Sequence, residues 1–250
     1  MPEPLLETRG LTRRFGGLVA TGDVSLAILP GELHALIGPN GAGKTTLIAQ
    51  LAGELSPDAG AIFFAGSDIT GLGVPARVAL GIARSFQITS IFAEFTALDN
   101  VALAVQARAG HSFRFWRPAR RDPELRNPAR RLLAEIGLAG RADVPAASLS
   151  HGERRALEIA MVLATRPRLL LLDEPMAGMG LEEAEELVPH LAALKGKVTI
   201  FLVEHDMDAV FALADRITVL ANGRVIAGGS PDAIRADPEV RRAYLGEEAA

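Results

Sequence analysis

Residues 38–46 have the spacing of a phosphate-binding loop, Gly-x-x-x-x-Gly-Lys-Ser/Thr. Glycines in such a loop let the backbone approach a ligand closely, so that successive N–H groups converge on phosphate oxygens. Lys44 is expected to reach the β and γ phosphates, and the Thr45 hydroxyl to bind the accompanying Mg²⁺. The loop therefore predicts a nucleoside triphosphate site, whose residues are Gly38, Pro39, Asn40, Gly41, Ala42, Gly43, Lys44, Thr45 and Thr46.

Two carboxylates follow an apolar run, Leu169 to Leu172, that reads as a buried strand. A parallel strand that ends in acids is typical of an active site at the carboxyl edge of a sheet. Asp173 suits Mg²⁺ coordination through a water, and Glu174 suits polarisation of an attacking water. Paired acids are also common in turns, but the four leucines and the phosphate loop favour a catalytic pair.

His205 and Phe15 are two further candidates. His205 follows the predicted strand Val198 to Val203 and could contact a γ phosphate or the attacking water, although a histidine here is often structural. Phe15 precedes the turn at Gly16 and Gly17, and its ring could stack on adenine. The alternative is that Phe15 belongs to the core.

Ser150 occupies the N-cap position of a predicted amphipathic helix that runs to Ala164. Free N–H groups and the helix dipole make such a helix start an anion site. The candidate residues there are Ser150, His151, Gly152 and Glu153. By itself the pattern indicates only a capped helix.

The elements that must position these residues form an α/β pattern. A buried strand at Leu33–Ile37 precedes the phosphate loop and a helix at Leu47–Ala52 follows it. Strands at Leu5–Phe15 and Asp23–Leu29 predict a small antiparallel sheet beside the nucleotide. Residues from about 88 to 166 are mostly helical by pattern, with one helix opening at Asp99 and another at Pro128–Ile136. Short strands and helices alternate beyond residue 216.

Composition narrows the class of protein. A chain of 250 residues suits one large α/β domain with an inserted subdomain. The net charge of −4 gives no overall attraction for nucleic acid or anionic lipid, and the absence of cysteine excludes disulfides and thiolate metal sites. No apolar run approaches the roughly 18 residues of a membrane span, and we see no secretion signal at the N-terminus.

The segment from Arg108 to Asn127 differs in composition from its surroundings. It holds six arginines together with Phe113, Phe115 and Trp116. Basic residues interleaved with aromatic ones can indicate contact with nucleic acid or a lipid headgroup zone. A solvated, irregular insertion gives the same composition. Both interpretations remain open from the sequence.

The order of these motifs, with Gln87 between the phosphate loop and Ser150, resembles the ATP-binding cassette of ABC transporters over nearly the whole chain. The resemblance implies a P-loop NTPase fold, in which a RecA-like mixed sheet carries an antiparallel β subdomain. It also implies one ABC ATPase domain over 1–250, with a helical subdomain at about 88–166 and an α/β tail at about 216–250.

The resemblance also implies a role for each candidate. Glu174 is the catalytic base, His205 the switch residue, and Phe15 the adenine platform. Gln87 senses Mg²⁺ and the attacking water and abuts the membrane partner. The implied catalytic residues are Glu174, His205 and Gln87, and the implied Mg²⁺ ligands are Thr45, Gln87 and, through water, Asp173.

The segment Ser150 to Glu153 corresponds to the family's signature, which acts on ATP held by the other subunit. The family therefore implies a head-to-tail dimer with ATP sandwiched between subunits. Two positions depart from the family pattern. His151 stands where glycine is usual, and Gly180 replaces the aspartate of the loop after Glu174, so that a contact across the dimer is missing or is made by backbone.

Within the family, the chain most resembles the longer ATPase type of branched-chain amino-acid importers. Four features carry this resemblance: Arg84–Gln87, the insertion near 108–127, Val203–Met207 and the ending Ala243–Glu247. It implies an ATPase that powers uptake of branched-chain or other hydrophobic amino acids. Its partners would be two membrane permeases, a second ATPase, identical or paralogous, and indirectly a solute-binding protein. It would lie peripherally on the cytoplasmic face of the plasma membrane.

Several alternatives accompany this interpretation. Urea or short-amide importers and lipopolysaccharide exporters have similar ATPases. A soluble ABC protein acting on nucleic acid or the ribosome is supported only by the insertion, and we expect no nucleic-acid partner. A nucleotide sensor without hydrolysis is disfavoured by Glu174 and His205.

Overall fold

The computed structural model describes residues 3–85, 91–109, 120 and 122–245. The chain forms two compact units. The core unit comprises Met1–Arg84, Arg168–Glu174 and Lys195–Ala250, and the helical unit comprises Ser85–Pro167 and Pro175–Leu194. The grouping of all 250 residues into one ATPase domain, with the subdomain limits given above, stays a prediction.

The strands lie in the core unit and the helices in both units. The strands are β1 (Leu6–Phe15), β2 (Leu18–Ile28), β3 (Leu33–Ile37), β4 (Ala59–Phe64), β5 (Ser67–Asp68), β6 (Ile82–Arg84), β7 (Leu169–Asp173), β8 (Thr199–Val203), β9 (Arg216–Ala221) and β10 (Arg224–Gly229). The helices are α1 (Lys44–Ala52), α2 (Val74–Leu80), α3 (Ala97–Ala109), α4 (Pro123–Glu135), α5 (His151–Ala164), α6 (Leu181–Ala192), α7 (Met207–Leu213), α8 (Pro231–Ala236) and α9 (Pro238–Leu245). Helices α3 to α6 belong to the helical unit.

Two sheets build the core unit. One is antiparallel with the order β2-β1-β4-β5, and the other has the order β10-β9-β3-β8-β7-β6. In the second sheet only the β10–β9 pair is antiparallel, so this sheet is mixed. The predicted α/β fold, with a mixed sheet and a separate antiparallel sheet, is confirmed.

The register of the mixed sheet aligns the ends of three neighbouring strands. Val203 of β8 pairs with Leu36 of β3 on one side and with Asp173 of β7 on the other. The residues that follow these strands therefore emerge at one edge of the sheet. Strands β3, β7 and β8 are buried along their whole length, which explains why their sequences are continuously apolar rather than alternating.

Helix α1 is packed into the main apolar cluster, which contains residues of both sheets. Leu47, Ile48 and Leu51 are fully buried there. Burial of each such side chain contributes about 1.5–3 kcal/mol relative to exposure. The position of the helix start, where the phosphate loop ends, is thereby fixed by the core.

The buried Arg77 binds the carboxyl end of α1. Its guanidinium donates to the carbonyl oxygens of Gln50 at 2.7 Å and Leu51 at 2.9 Å, and the residue is 1% exposed. The last carbonyls of a helix lack intrahelical partners and carry partial negative charge, so a cation there is favourable. Arg77 therefore anchors α1 at its carboxyl end.

Three arginines of the 108–127 insertion lie among the described residues, and all three contact the helical unit itself. Arg126 forms an ion pair with Asp99 at 2.9 Å, and Arg120 approaches the same carboxylate at 3.6 Å. Arg108 donates to the backbone oxygen of Thr165. The remainder of the insertion, including Phe113, Phe115 and Trp116, lies outside the described residues.

Most predicted boundaries differ from the observed ones by three residues or fewer, but two predicted starts were wrong by five residues. Helix α4 begins at Pro123 rather than Pro128, because Asp122 accepts from the Glu124 N–H as the N-cap and Pro128 lies inside the helix. Strand β2 begins at Leu18 rather than Asp23, since the pairing with β1 continues across irregularities in register. No helix formed by the described residues is long and apolar enough to cross a membrane.

Candidate nucleotide-binding and catalytic site

The phosphate loop joins β3 to α1. Gly43 is the N-cap of α1, adopts φ 102°, and makes no side-chain cap bond to the helix. The first N–H groups of a helix have no intrahelical acceptor, and they form the positive end of its dipole. This helix start therefore suits phosphate oxygens, as the sequence predicts.

Glycine is required in the loop because other backbone comes very close. A Cβ on Gly38 would lie 2.0 Å from the Leu220 oxygen of β9, and one on Gly43 would lie 2.0 Å from the Ala20 oxygen of β2. The Gly223 N–H, in the turn between β9 and β10, donates to the Ala42 oxygen at 2.9 Å. The loop is thus fixed by both sheets of the core unit.

Lys44 points its ammonium into this loop. Its Nζ donates to the Gly38 oxygen at 2.6 Å and the Pro39 oxygen at 3.1 Å, and the residue is 6% exposed. Burial lowers the pKa of Lys44, and the charges of Glu174 and Asp173 act in the opposite direction. The ammonium, the loop and both acids therefore belong to one electrostatic site.

Glu174 adopts an unusual backbone conformation at the end of β7. Its φ is 45°, in the left-handed region that residues with a Cβ seldom occupy. Its N–H donates to the Val203 oxygen at 2.8 Å, which ties the strained position to β8. Such a conformation costs about 1–3 kcal/mol and is concentrated at functional positions. The side chain is 41% exposed, so its carboxylate is accessible to water.

His205 lies beside Glu174. Its Nδ1 is 3.9 Å from Glu174 Oε1 and 3.7 Å from Oε2 of Glu204, distances that allow electrostatic attraction but are too long for hydrogen bonds. The fully buried Glu204 accepts from the His205 N–H at 3.0 Å. Glu204 had no predicted role, although an acid directly after a buried strand is a usable signal.

Asp173 is nearly buried, and Arg84 binds it. The Arg84 guanidinium donates to Asp173 Oδ2 at 2.6 Å, and its other terminal nitrogen donates to Glu54. Arg84 is a second residue to which the sequence gave no role in the site. Its partners lie 30 and 89 positions away, so no local pattern could have revealed them.

Phe15 is not a core residue. It lies at the tip of the β1–β2 hairpin and is 47% exposed, with the Arg13 guanidinium 5.1 Å from its ring centroid. A half-exposed ring offers a face to a planar base. The structure therefore removes the core alternative, while contact with adenine stays a prediction.

The oxygen atoms available near the loop fit Mg²⁺. Thr45 is exposed in the first turn of α1, and Asp173 contributes a carboxylate at the same edge of the sheet. Hydroxyl and carboxylate oxygens are the ligands Mg²⁺ prefers, and the ion commonly shares them with substrate phosphates. Within the described part of the chain, no cluster of three or more His, Cys, Asp or Glu side chains could hold a metal alone. Gln87, the third predicted ligand, lies outside the described residues.

The signature segment caps α5 in the helical unit. Ser150 Oγ accepts from the Glu153 N–H at 3.2 Å, and Glu153 Oε2 accepts from the Ser150 N–H at 2.9 Å. Glu153 also binds Arg141 at 2.6 Å. His151, at the position where the family usually has glycine, leaves this reciprocal capping intact.

Glu183 connects the starts of α5 and α6. Its carboxylate accepts from the Gly152 N–H at 3.3 Å and from the Gly180 N–H at 3.4 Å. Hydrogen bonds from Ser150 and Gly152 lower the pKa of Glu183, with smaller contributions from Gly180 and the charge of His151. Glu183 had no predicted role, although an acid three positions after Gly180 is a capping signal.

Sequence comparisons find the same family along most of the chain. Residues 21–177 match the family described as ABC transporter, and residues 224–250 match the family described as Branched-chain amino acid ATP-binding cassette transporter. The chain is 40% identical over 254 residues to the high-affinity branched-chain amino acid transport ATP-binding protein BraF of Pseudomonas aeruginosa, covering 99% of this chain and 100% of that protein. It is 37% identical to the lipopolysaccharide export system ATP-binding protein LptB of Acidithiobacillus ferridurans, covering 98% of each.

Solved structures that are similar to this chain come from the same family. The ADP conformation of MJ1267, an ATP-binding cassette of an ABC transporter, is similar with a TM-score of 0.84 and 30% identity, covering 97% of this chain and 99% of that one. A nucleotide-free ATP-binding cassette from an ABC transporter has a TM-score of 0.82, also at 30% identity and with the same coverage.

Proposed function

This chain belongs to the ABC transporter family of ATP-binding subunits, and we propose that it is the ATPase of an importer for branched-chain or other hydrophobic amino acids. ATP hydrolysis coupled to transport is the activity of this family. The observation that supports the solute class is the match of residues 224–250 to the branched-chain family, together with the likeness to BraF. The likeness to LptB makes lipopolysaccharide export the second candidate.

We assign nucleotide binding to the loop from Gly38 to Thr46 and to Phe15. Loop amides and the start of α1 would bind the β and γ phosphates, and Lys44 would add a cation held in place by its burial. Thr45, Asp173 and Gln87 would hold Mg²⁺, which when bound neutralises phosphate charge during transfer.

Hydrolysis is assigned to Glu174 and His205, with Gln87. The Glu174 carboxylate is accessible and fixed in a strained conformation, so it can orient a water and accept its proton. His205 lies 3.9 Å from it and would contact the γ phosphate or that water. Glu204 accepts from the backbone N–H of His205 and so helps to fix the backbone from which the imidazole projects.

One chain contains only half of each proposed site. The start of α5, from Ser150 to Glu153, offers an anion site that we assign to ATP bound by a second ATPase subunit, identical or paralogous. A head-to-tail dimer would complete both sites. Closure with ATP and reopening after hydrolysis would drive the permeases, because the γ phosphate contributes contacts in only one of the two states.

We propose a peripheral position on the cytoplasmic face of the plasma membrane, with two permease subunits as partners and a solute-binding protein acting indirectly. Purification of the tagged chain from gently solubilised membranes tests this. We expect two polytopic permeases and a second ATPase, and we expect their binding protein to bind leucine, isoleucine or valine in calorimetry. Recovery of lipopolysaccharide-export components, a urea-binding protein or ribosomal proteins would contradict the proposed solute class.

A further inference from the structure

Arg84 lies where it can control the direction of the Asp173 carboxylate. Strand β6 runs parallel to β7, and Arg84 pairs in register with Leu171, two residues before Asp173. Because side chains alternate along a strand, Leu171 and Asp173 point to the same face of the sheet. The guanidinium reaches forward along that face and donates to Asp173 Oδ2 at 2.6 Å.

This contact is shielded from water. The side chains of Arg84 and Asp173 are 12% and 3% exposed. A buried carboxylate must be hydrogen-bonded, and the planar guanidinium fixes the direction of its bonds in a way that a flexible ammonium cannot. The orientation of Oδ2 is therefore set by the position of Arg84.

Glu54, just beyond α1, occupies the other side of the same guanidinium. The three groups together carry one net negative charge, which equals the charge of Asp173 alone. An arginine beside Asp173 would otherwise weaken the attraction of that carboxylate for a cation. The negative charge of Glu54 offsets this effect only partly, because Glu54 is 45% exposed and solvent screens its charge.

We propose that Arg84 is a positioning residue for Asp173, which it orients toward nucleotide-bound Mg²⁺ while Glu54 compensates its charge. The inference rests on the proposed Mg²⁺ site. Groups that orient a metal ligand from behind typically change metal affinity by about 10–100-fold when they are removed. Arg84 thus acts on Mg²⁺ through Asp173 and contacts no reacting atom.

The test is a double variant that keeps the net charge, Arg84→Gln with Glu54→Gln. Binding of a fluorescent ATP analogue is titrated with Mg²⁺ and repeated in EDTA. We expect the half-saturating Mg²⁺ concentration to rise about tenfold, while the affinity in EDTA stays unchanged. The half-saturating Mg²⁺ concentration of Arg84→Lys should lie between those of the wild type and the double variant, because an ammonium keeps the charge but not the contact with both carboxylates.

The matched control removes an exposed ion pair from the same unit, Glu7→Gln with Arg9→Gln, and should leave the Mg²⁺ titration unchanged. An unchanged half-saturating concentration in the Arg84 double variant would overturn the proposal. So would an equal loss of affinity with and without Mg²⁺, which indicates damage to the loop. If the double variant does not fold, a wild-type Mg²⁺ response in Arg84→Lys overturns it. A wild-type protein insensitive to Mg²⁺ would overturn the proposed function as well.

Discussion

At the scale of single residues, Glu174 combines a fixed backbone with an accessible side chain. Its positive φ, its accessible carboxylate and its neighbour His205 occur together at the end of β7. The preceding residue, Asp173, is buried and accepts a hydrogen bond from Arg84. Two adjacent acids are thus given different environments, which suits one to position an ion and the other to act on water.

Glu174→Gln should keep ATP binding and lose turnover. The amide has nearly the same shape but cannot accept a proton from water, and general-base catalysis contributes about 10²–10⁴-fold. We expect the ATPase rate to fall in that range, with the affinity for a fluorescent ATP analogue unchanged. Glu7→Gln, an exposed change in the same unit, serves as the control. A rate equal to that of wild type would exclude Glu174 as the base.

Glu183 should contribute stability that depends on pH. Hydrogen bonds in the folded state lower its pKa below the ordinary value of 4.5. The contribution is therefore present above that value and is lost as the pH falls through the lower, folded-state pKa. Urea unfolding from pH 7 down to about pH 3 should show Glu183→Gln less stable than wild type at neutral pH, with the difference closing below pH 4.5. Glu182→Gln should show no such gap, and a gap constant with pH would refute the assignment.

At the scale of elements, the phosphate loop is built by the two sheets that flank it. Gly38 approaches β9 and Gly43 approaches β2, whereas a Cβ on Gly41 would meet no atom within 4 Å. The glycines of the motif therefore differ in function. Some make room for neighbouring backbone, and others only allow a left-handed conformation.

Gly43→Ala should damage the loop far more than Gly41→Ala. Both positions have positive φ, so each alanine carries a conformational cost of about 1–2 kcal/mol. Only the Gly43 substitution also forces a methyl group to within 2.0 Å of the Ala20 oxygen. The melting temperature and the affinity for nucleotide should both decrease more for Gly43→Ala than for Gly41→Ala. Equal effects would mean that backbone packing against β2 does not define the loop.

The sequence predicted the elements whose signals are local. Strand β3 has the predicted bounds, Leu33–Ile37, because an apolar run meets a glycine loop. Strand β2 was predicted too short, since Thr21-Gly22-Asp23 resembles a turn; the strand instead continues through Asp23 at φ 60° with irregular pairing. The start of α4 was predicted at Pro128, whereas the helix begins five residues earlier, where Asp122 caps it.

Prediction of the site residues also depended on local signals. Lys44, Glu174 and His205 were predictable because each lies at the end of a strand or beside a known loop. Arg84 was missed because both of its partners are distant in sequence, and contacts of that kind arise from packing. Glu183 and Glu204 did carry local signals, a capping position after Gly180 and the end of a buried strand, but neither signal identifies a functional residue by itself.

At the scale of the whole molecule, the proposed function needs two ATPase subunits, because the phosphate loop and the signature segment are proposed to serve different ATP molecules. We expect Glu174→Gln to form a dimer in MgATP, either with itself or with the second ATPase that co-purifies. Light scattering after gel filtration should give the mass of two subunits with MgATP and of one without nucleotide. Lys44→Ala should remain monomeric, and monomers of Glu174→Gln under every condition would contradict the ATP sandwich.

Transport by the purified complex in proteoliposomes tests the central claim most directly. The complex, with its binding protein, is supplied with radiolabelled leucine and with ATP on the side of this subunit. We predict ATP-dependent uptake by the wild-type complex and none by a complex carrying Glu174→Gln, although the variant still binds ATP. Uptake that needs no ATP, or that proceeds equally in the variant, would contradict the assignment of this chain as the subunit that powers import.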